Sequence, residues 1–556
     1  MTLPYILIFS LFALAAGMLA NRGWRNWLIF LGSLLAVYAL QPATPIRHLD
    51  FWLPTLSLAL CALGWAVTAP RPGGKLELSR ASRISALLMA AVVLLIGLTR
   101  YVNPLCCLIP TRPPEIMQIL AGLGLATLLI FALARLQSGG RLALGASILL
   151  ILGLFLVLKT DLLAQAASAG LRLLNGQSPD LALSTDLRWL GFSYIAFRLL
   201  QTLRDRQTGR LPALGLQEYV SYVVFFPALA AGPIDRAERF ARDLAGQKDT
   251  HHRVTETTEV IEASRKPLIQ SVQNDLAAND SRFFATHAPH CIRRSAGEHP
   301  LQRANLDSRL FEGGKRIVLG LFKKFVLADT LALVALSNTN FSQVDSAFWM
   351  WVLLYAYALR IYFDFSGYTD VAIGIGRLVG IRLPENFDRP YLKPNLTAFW
   401  NSWHITLAQW FRTYVFNPLT RALRTAENPI PPYLIILAGQ LATMALIGLW
   451  HGVTWNFLIW GVWHGVGLFV HNRWLEFSRR RSSKTTESVG AQGEPRTPLG
   501  CLRPHGVSNN QPGWSPRVTT VLSTFITFNY VALGWVWFAL SLPSQSWAVM
   551  LKLFGL

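Results

Sequence analysis

Charge is scarce in this sequence. Only 15% of its 556 residues are Asp, Glu, Lys or Arg, against roughly 25% in ordinary soluble domains. Hydrophobic residues make up 52%, and they are gathered in blocks of about 15–25, the length that crosses a bilayer core. That pattern excludes a soluble multidomain enzyme, a disordered chain and a coiled coil. Cysteine is also sparse: Cys61, Cys106, Cys107, Cys291 and Cys501, with no CxxC pair. A zinc site or a cysteine nucleophile therefore has no sequence support. Gly-rich phosphate loops and nucleophile elbows are missing. Acidic residues number 30 against 51 Lys and Arg, a net charge of +21. In a soluble chain that excess would suggest nucleic acid. Here the basic residues lie between apolar blocks, at Arg22, Arg25, Arg71, Lys75, Arg80, Arg83, Arg198, Arg204, Arg206 and Arg210. This reads as positive-inside topology with contact to anionic head groups, and no nucleic-acid partner is expected.

What remains is an all-α polytopic membrane protein. The first block, about 3–20, has no basic n-region and no small-residue cleavage site, so it is expected as a retained helix. Further spans are expected at about 27–41, 51–69, 84–99, 116–134, 143–158 and 161–174. They are rich in Leu and Ala, and residues 1–185 are expected to form wall and lipid contact. Beyond Asp186 the blocks gain Tyr, Phe, Gly and polar residues, at about 187–202, 216–233, 315–337, 346–363, 401–418, 432–450, 452–471 and 519–541. A half-length piece at about 370–381 is expected to be re-entrant, bringing the total to roughly 13–15 membrane segments. Residues 186–246 and 309–475 would form the core, and 519–556 would hold the last membrane helix.

Two polar stretches interrupt this core. Residues 247–308 read as a soluble insertion. They hold His251, His252, His287, His290 and His299, but no second ligand pair at zinc spacing, so no metal is expected. Residues 476–518 are basic and rich in Ser, Gly and Pro, which reads as a flexible cytoplasmic loop.

Polar side chains inside membrane segments are costly, so each is a candidate functional residue. They fall in three clusters. In the first, Arg360-Ile-Tyr362-Phe-Asp364-Phe-Ser366-Gly367-Tyr368-Thr-Asp370, Gly367 can break the helix. Asp364, Ser366 and Asp370 would then cap the broken ends and pair with Arg360 or Arg377, or else line a substrate path. The second runs from Pro384-Glu385-Asn386-Phe387 to Phe399-Trp400-Asn401-Ser402-Trp403-His404 and Arg412-Thr413-Tyr414. At helical spacing Trp400, Trp403, Leu407, Trp410 and Tyr414 form one stripe, with His404 beside it. The third is Gly448-Leu449-Trp450-His451-Gly452. His451 sits where two apolar blocks meet, and Gly448 and Gly452 would permit close backbone approach. A neutral imidazole there is either a hydrogen-bonded structural group or a general base.

Taken in order, these motifs resemble the membrane-bound O-acyltransferase (MBOAT) superfamily, in particular its bacterial polysaccharide O-acetyltransferase and D-alanyl transfer branch. The resemblance rests on Tyr362-Phe363-Asp364-Phe365-Ser366-Gly367-Tyr368-Thr369-Asp370, Pro384-Glu385-Asn386-Phe387, Trp400-x-x-Trp403-His404-Ile405-x-Leu407-x-x-Trp410-Phe411-Arg412-x-Tyr414 and Gly448-Leu449-Trp450-His451-Gly452. Weaker matches are Phe225-Phe226-Pro227-x-x-x-Ala231-Gly232-Pro233-Ile234 and Gly320-Leu321-Phe322-Lys323-Lys324-x-x-x-Ala328-Asp329. Arg360 stands where the family commonly has glutamine, and Thr413 where it commonly has aspartate.

The resemblance implies a helical bundle around a transmembrane tunnel, in the bacterial cytoplasmic (inner) membrane. It implies that His451 and His404 are catalytic, with Asp364, Ser366, Asn386, Arg412, Trp403 and Trp450 lining or supporting the site. An acyl group, acetyl foremost, would pass from a cytoplasmic acyl-CoA or acyl carrier protein thioester to a hydroxyl. That hydroxyl would belong to a cell-envelope polysaccharide, a lipid-linked sugar or a periplasmic relay partner. No bound cofactor is implied. The alternatives are D-alanyl transfer from a carrier-protein thioester and, from another class, a transporter or flippase. A transporter predicts two related halves, and the motifs occupy only the C-terminal half.

Overall fold

The computed structural model describes residues 2–18, 22–71, 78–102, 108–135, 142–246, 306–426, 429–489 and 516–556. The histidine-bearing insertion, from 247 to 305, and Cys106, Cys107, Cys291 and Cys501 lie outside them. Among the described residues every regular element is helical. Six helices are long and apolar enough to cross a bilayer: Leu49–Thr68, Arg80–Tyr101, Ile116–Leu133, Leu142–Lys159, Pro432–His451 and Arg517–Ala539.

That number is lower than the number of apolar blocks for physical reasons. Leu3–Met18 is short. The helix Leu306–Leu321 carries Arg309, Glu312, Lys315 and Arg316. Elsewhere the blocks are broken. The expected span at 401–418 is Leu396–Trp400, Ile405–Phe411, a π-helical turn at Arg412–Phe416 and Asn417–Arg424. Trp400 to Tyr414 therefore do not share one helix.

The expected re-entrant piece at 370–381 is corrected. Ala347–Leu378 is one continuous helix of 32 residues, and Gly367 lies inside it. Gly367 serves packing instead of a break. A Cβ on Gly367 would sit 2.7 Å from the Gly320 carbonyl oxygen, and one on Gly320 would sit 2.5 Å from that of Gly367. Two turns away, a Cβ on Gly374 would lie 2.7 Å from the Gly313 oxygen. Four glycines thus let Leu306–Leu321 cross Ala347–Leu378 backbone to backbone, the small-residue packing typical of membrane helices.

Irregular backbone lies instead at 224–236 and, on either side of the short helix Leu396–Trp400, at 379–404, and both stretches are stitched by polar groups. Arg198, fully buried, donates from Nη1 to Val223 O at 2.9 Å and from Nη2 to Ala228 O at 2.9 Å and Pro233 O at 3.4 Å. Tyr222 donates to Asp235 O at 2.8 Å. Non-helical chain at membrane depth needs such internal partners.

Helices Leu142–Lys159 and Ile116–Arg135 turn Leu149, Leu152, Leu156, Leu125 and Leu128 outward, as a lipid-facing wall does. The N-terminal helices are not a separate layer, because they share an apolar core with residues 192–244 and 371–383. A second apolar core gathers Trp403, Trp460, Trp535 and Phe399. On the C-terminal side, the helix Trp455–Val489 runs 35 residues and enters the stretch expected as a loop. Residues 490–515 of that loop lie outside the described residues.

Candidate active site

Asn386 organises the site. Its side chain is fully buried, and its Oδ1 accepts from Thr406 N–H at 3.2 Å, from Thr406 Oγ1 at 2.9 Å and from His404 Nδ1 at 3.1 Å. Asn386 O also accepts from Ile405 N–H at 2.9 Å. A backbone N–H can only donate, so the Asn386 atom facing Thr406 is the oxygen. His404 Nδ1 must then carry the proton, and Nε2 is left as a lone pair. That Nε2 is buried and has no hydrogen-bond partner among the described residues.

The backbone cooperates. His404 has φ 41°, in the left-handed region, immediately before the helix Ile405–Phe411. A non-glycine residue held there is costly and marks a functional candidate. Thr406 Oγ1 accepts from Ile234 N–H at 3.1 Å, which ties the 224–236 stretch to the same cradle.

Trp450 joins the two candidate histidines. Its ring lies 6.2 Å from the His404 ring and 4.4 Å from the His451 ring. His404 and His451 therefore flank one indole, well inside three turns of helix, about 15 Å. His451 ends the helix Pro432–His451 and packs at 4.7 Å on Phe538, 5.7 Å on Trp460 and 5.8 Å on Phe457. The two helices of this hairpin touch through glycine. A Cβ on Gly448 would be 2.1 Å from Phe457 O, and one on Gly461 would be 2.4 Å from Met444 O. Gly452 meets only the Phe457 ring, at 3.0 Å.

The other expected residues divide. Phe365 stacks edge-on to His404 at 4.7 Å, but its neighbour Asp364 is half exposed and pairs with Lys324. Asp370 is buried and pairs with Arg316 and Lys323. The expected partners Arg360 and Arg377 are replaced, because the unbroken helix presents Asp364 and Asp370 to the crossing helix and its π-helical turn Phe322–Ala328. Arg316 also holds Glu385, next to Asn386. Ser366 is buried but takes no part in the Asn386 bonds. Trp403 is a core residue, packed on Phe399 at 5.7 Å, Phe387 at 5.1 Å and Trp535 at 5.2 Å. Arg412 donates to Asn401 Oδ1 at 2.5 Å, and no described contact joins it to either histidine.

Two features escaped the sequence reading. Arg316, Lys323 and Lys324 neutralise motif carboxylates far away in the chain. His464 is fully buried among Trp400 at 5.2 Å, Trp460 at 5.0 Å and Phe399 at 6.4 Å, with both ring nitrogens unpartnered among the described residues. Its place in Trp463-His464-Gly465 was visible, but its aromatic box was not. Among the described residues no group of three or more His, Cys, Asp or Glu could hold a metal ion.

Comparison with known proteins bears on this arrangement. Residues 295–491 match the profile of MBOAT, the membrane-bound O-acyltransferase family. The chain is 28% identical over 358 residues to the teichoic acid D-alanyltransferase of Streptococcus thermophilus, covering 64% of this chain and 68% of that protein. It is 28% identical over 372 residues to the probable alginate O-acetylase AlgI of Pseudomonas aeruginosa, covering 66% of this chain and 51% of the relative. It is 32% identical over 222 residues to the peptidoglycan O-acetyltransferase of Helicobacter pylori, covering 40% and 34%. The chain thus spans about half or less of the O-acetylating relatives' length. The stretch that matches the membrane-bound O-acyltransferase family model contains Asn386, His404, Trp450 and His451.

Proposed function

We propose that this multi-pass membrane protein is an O-acyltransferase of the bacterial cytoplasmic membrane. It moves an acetyl group from a cytoplasmic acyl-CoA or carrier-protein thioester to a hydroxyl of a cell-envelope glycan or of a relay partner. The observation that carries the reading is the histidine pair flanking Trp450 inside the family-matched stretch.

His451 is the general base. Its imidazole takes the proton of the acceptor hydroxyl as the oxygen attacks the thioester carbonyl. The C–O bond forms, the C–S bond breaks, and the thiolate leaves with that proton. Such base catalysis contributes about 10²–10⁴-fold. His404, held with Nε2 as an acceptor, takes a hydrogen bond from a second hydroxyl of the acceptor and orients it. Asn386 fixes that tautomer, and Trp450 lies beside both rings. Asp364, Ser366, Arg412 and Trp403 support the surrounding helices.

Topology agrees with a donor inside and an acceptor outside. Arg80 and Arg83 begin the helix Arg80–Leu98, which by the positive-inside rule supports a cytoplasmic start. Two crossings later, Leu142–Lys159 ends on the outer side. The turn after His451 lies there too, because Val453 N–H donates to Lys159 O at 3.1 Å. The basic end of Trp455–Val489 then returns to the cytoplasm.

The test compares ester content of envelope glycans in cells making wild type, His451→Ala or His404→Ala. His451→Ala abolishes esterification while the protein stays folded and inserted. In purified protein, His404→Ala raises the acceptor KM more than it lowers kcat. Wild-type-like esterification by His451→Ala would overturn the assignment. D-alanyl transfer is the second reading, favoured by the match over 68% of the D-alanyltransferase's length. Chemical analysis of the released acyl group separates it from acetyl transfer.

A further inference from the structure

Lys159 lies in the N-terminal half, where the sequence suggested only wall. It is the last residue of Leu142–Lys159, and its carbonyl accepts the Val453 N–H that follows His451 by two residues. Its ammonium stands 5.9 Å from the Trp450 ring and 5.8 Å from the Phe155 ring. Trp450 in turn lies 4.4 Å from His451. A cation is thus fixed, by backbone and by aromatic faces, at the outer rim of the histidine pair.

Among the described residues this cation has no counter-ion. Lys323, Lys324, Lys393 and Lys552 hold Asp370, Asp364, Asp388 and Asp345. Among the described residues no carboxylate lies within ion-pair distance of Lys159. Aromatic faces attract an ammonium but satisfy none of its three N–H donors as an oxygen would. A lysine ending a membrane helix usually snorkels to the lipid rim. Here the lipid-facing side of the helix is marked by exposed Leu149, Leu152 and Leu156. Phe155, one turn before Lys159, packs inward on Phe192 at 6.4 Å. Lys159 shares that inward side and reaches Trp450.

We propose that Lys159 is an acceptor-binding residue: its ammonium pairs with an anionic oxygen, carboxylate or phosphate, carried by the acceptor whose hydroxyl reaches His451. The inference rests on the acyl-transfer reading and adds to it a substrate class, an acidic glycan or polyol. The helix C-terminus beside Lys159 favours the cation, and the acceptor supplies an anionic oxygen partner.

The test measures binding by calorimetry, with full-length protein in phosphatidylcholine nanodiscs. The probes are a tetra-uronate, a tetra(glycerol phosphate) and a neutral tetrasaccharide. Wild type binds at least one anionic probe more tightly than the neutral one, and the stronger of the two names the anion. Lys159→Met and Lys159→Gln each weaken that binding at least tenfold, about 1.4 kcal/mol. Lys159→Arg restores it, and the neutral probe binds all variants alike. Unchanged anionic binding in both neutral variants, or equal loss for anionic and neutral probes, overturns the proposal. Failure of the acyl-transfer reading shows separately, as wild-type-like glycan esterification in His451→Ala cells.

Discussion

Asn386→Ala is the sharpest probe of the site, because one side-chain oxygen holds three donors. The substitution strands Thr406 N–H, Thr406 Oγ1 and His404 Nδ1 in a fully buried position. A net hydrogen bond is worth about 1 kcal/mol, and a stranded buried donor costs about 1–3 kcal/mol. Thr406 Oγ1 can rotate toward another acceptor, so the expected loss is about 3 kcal/mol. The function suffers more. Without the oxygen the His404 ring is free to carry its proton on Nε2, which then donates where it should accept. Asn386→Asp separates these effects. It keeps an acceptor at the same point, so the fold survives. Its charge, however, favours an imidazolium whose Nε2 also donates. Detergent-solubilised thermal unfolding reads the first effect, and glycan ester content the second. Asn386→Ala is expected to be destabilised and inactive, and Asn386→Asp near wild type in melting yet impaired in transfer. Full transfer by Asn386→Ala would refute the argument that Asn386 sets the state of His404.

Two further substitutions test the backbone of the site. At φ 41° a side chain costs about 1–2 kcal/mol in the left-handed region, so His404→Gly should melt higher than His404→Ala while both show a raised acceptor KM; equal melting would argue against strain at this residue. Gly448→Ala should lower the melting temperature sharply, because its Cβ would stand 2.1 Å from Phe457 O. Gly153→Ala, with nothing within 4 Å of the added carbon, is the neutral control, and similar melting for both variants would contradict the close hairpin.

The helical membrane class was legible in the sequence, and so were the candidate site residues, because the membrane makes polar residues conspicuous. His451 stands out against apolar neighbours, and the structure sets it and His404 beside one indole, with Asn386 bonded to His404. Two local rules misled. Periodicity assigned Trp400 to Tyr414 to one helical stripe, but the Asn386 contacts to Ile405 and Thr406 compete with helix and turn the chain at His404. Glycine suggested a break at Gly367, whereas its facing partner Gly320 makes the same residue a crossing point. A glycine's meaning depends on what packs against it, and no single segment of sequence states that.

The same limit governs the charges. Asp370 and Asp364 read as candidates because carboxylates are expensive at membrane depth. Their partners Arg316, Lys323 and Lys324 sit on the crossing helix and its π-helical turn, far away in sequence. Once paired, these carboxylates are explained without substrate, and the chemistry contracts to the groups left with an open valence. His404 Nε2 has a lone pair with no donor among the described residues. The Lys159 ammonium has donors with no carboxylate there. Both stand beside Trp450, one 6.2 Å from its ring and the other 5.9 Å. An acceptor that brings a hydroxyl to the first and an anionic oxygen to the second would satisfy both at once. Their shared indole would set the spacing at which acidic acceptors are told from neutral ones.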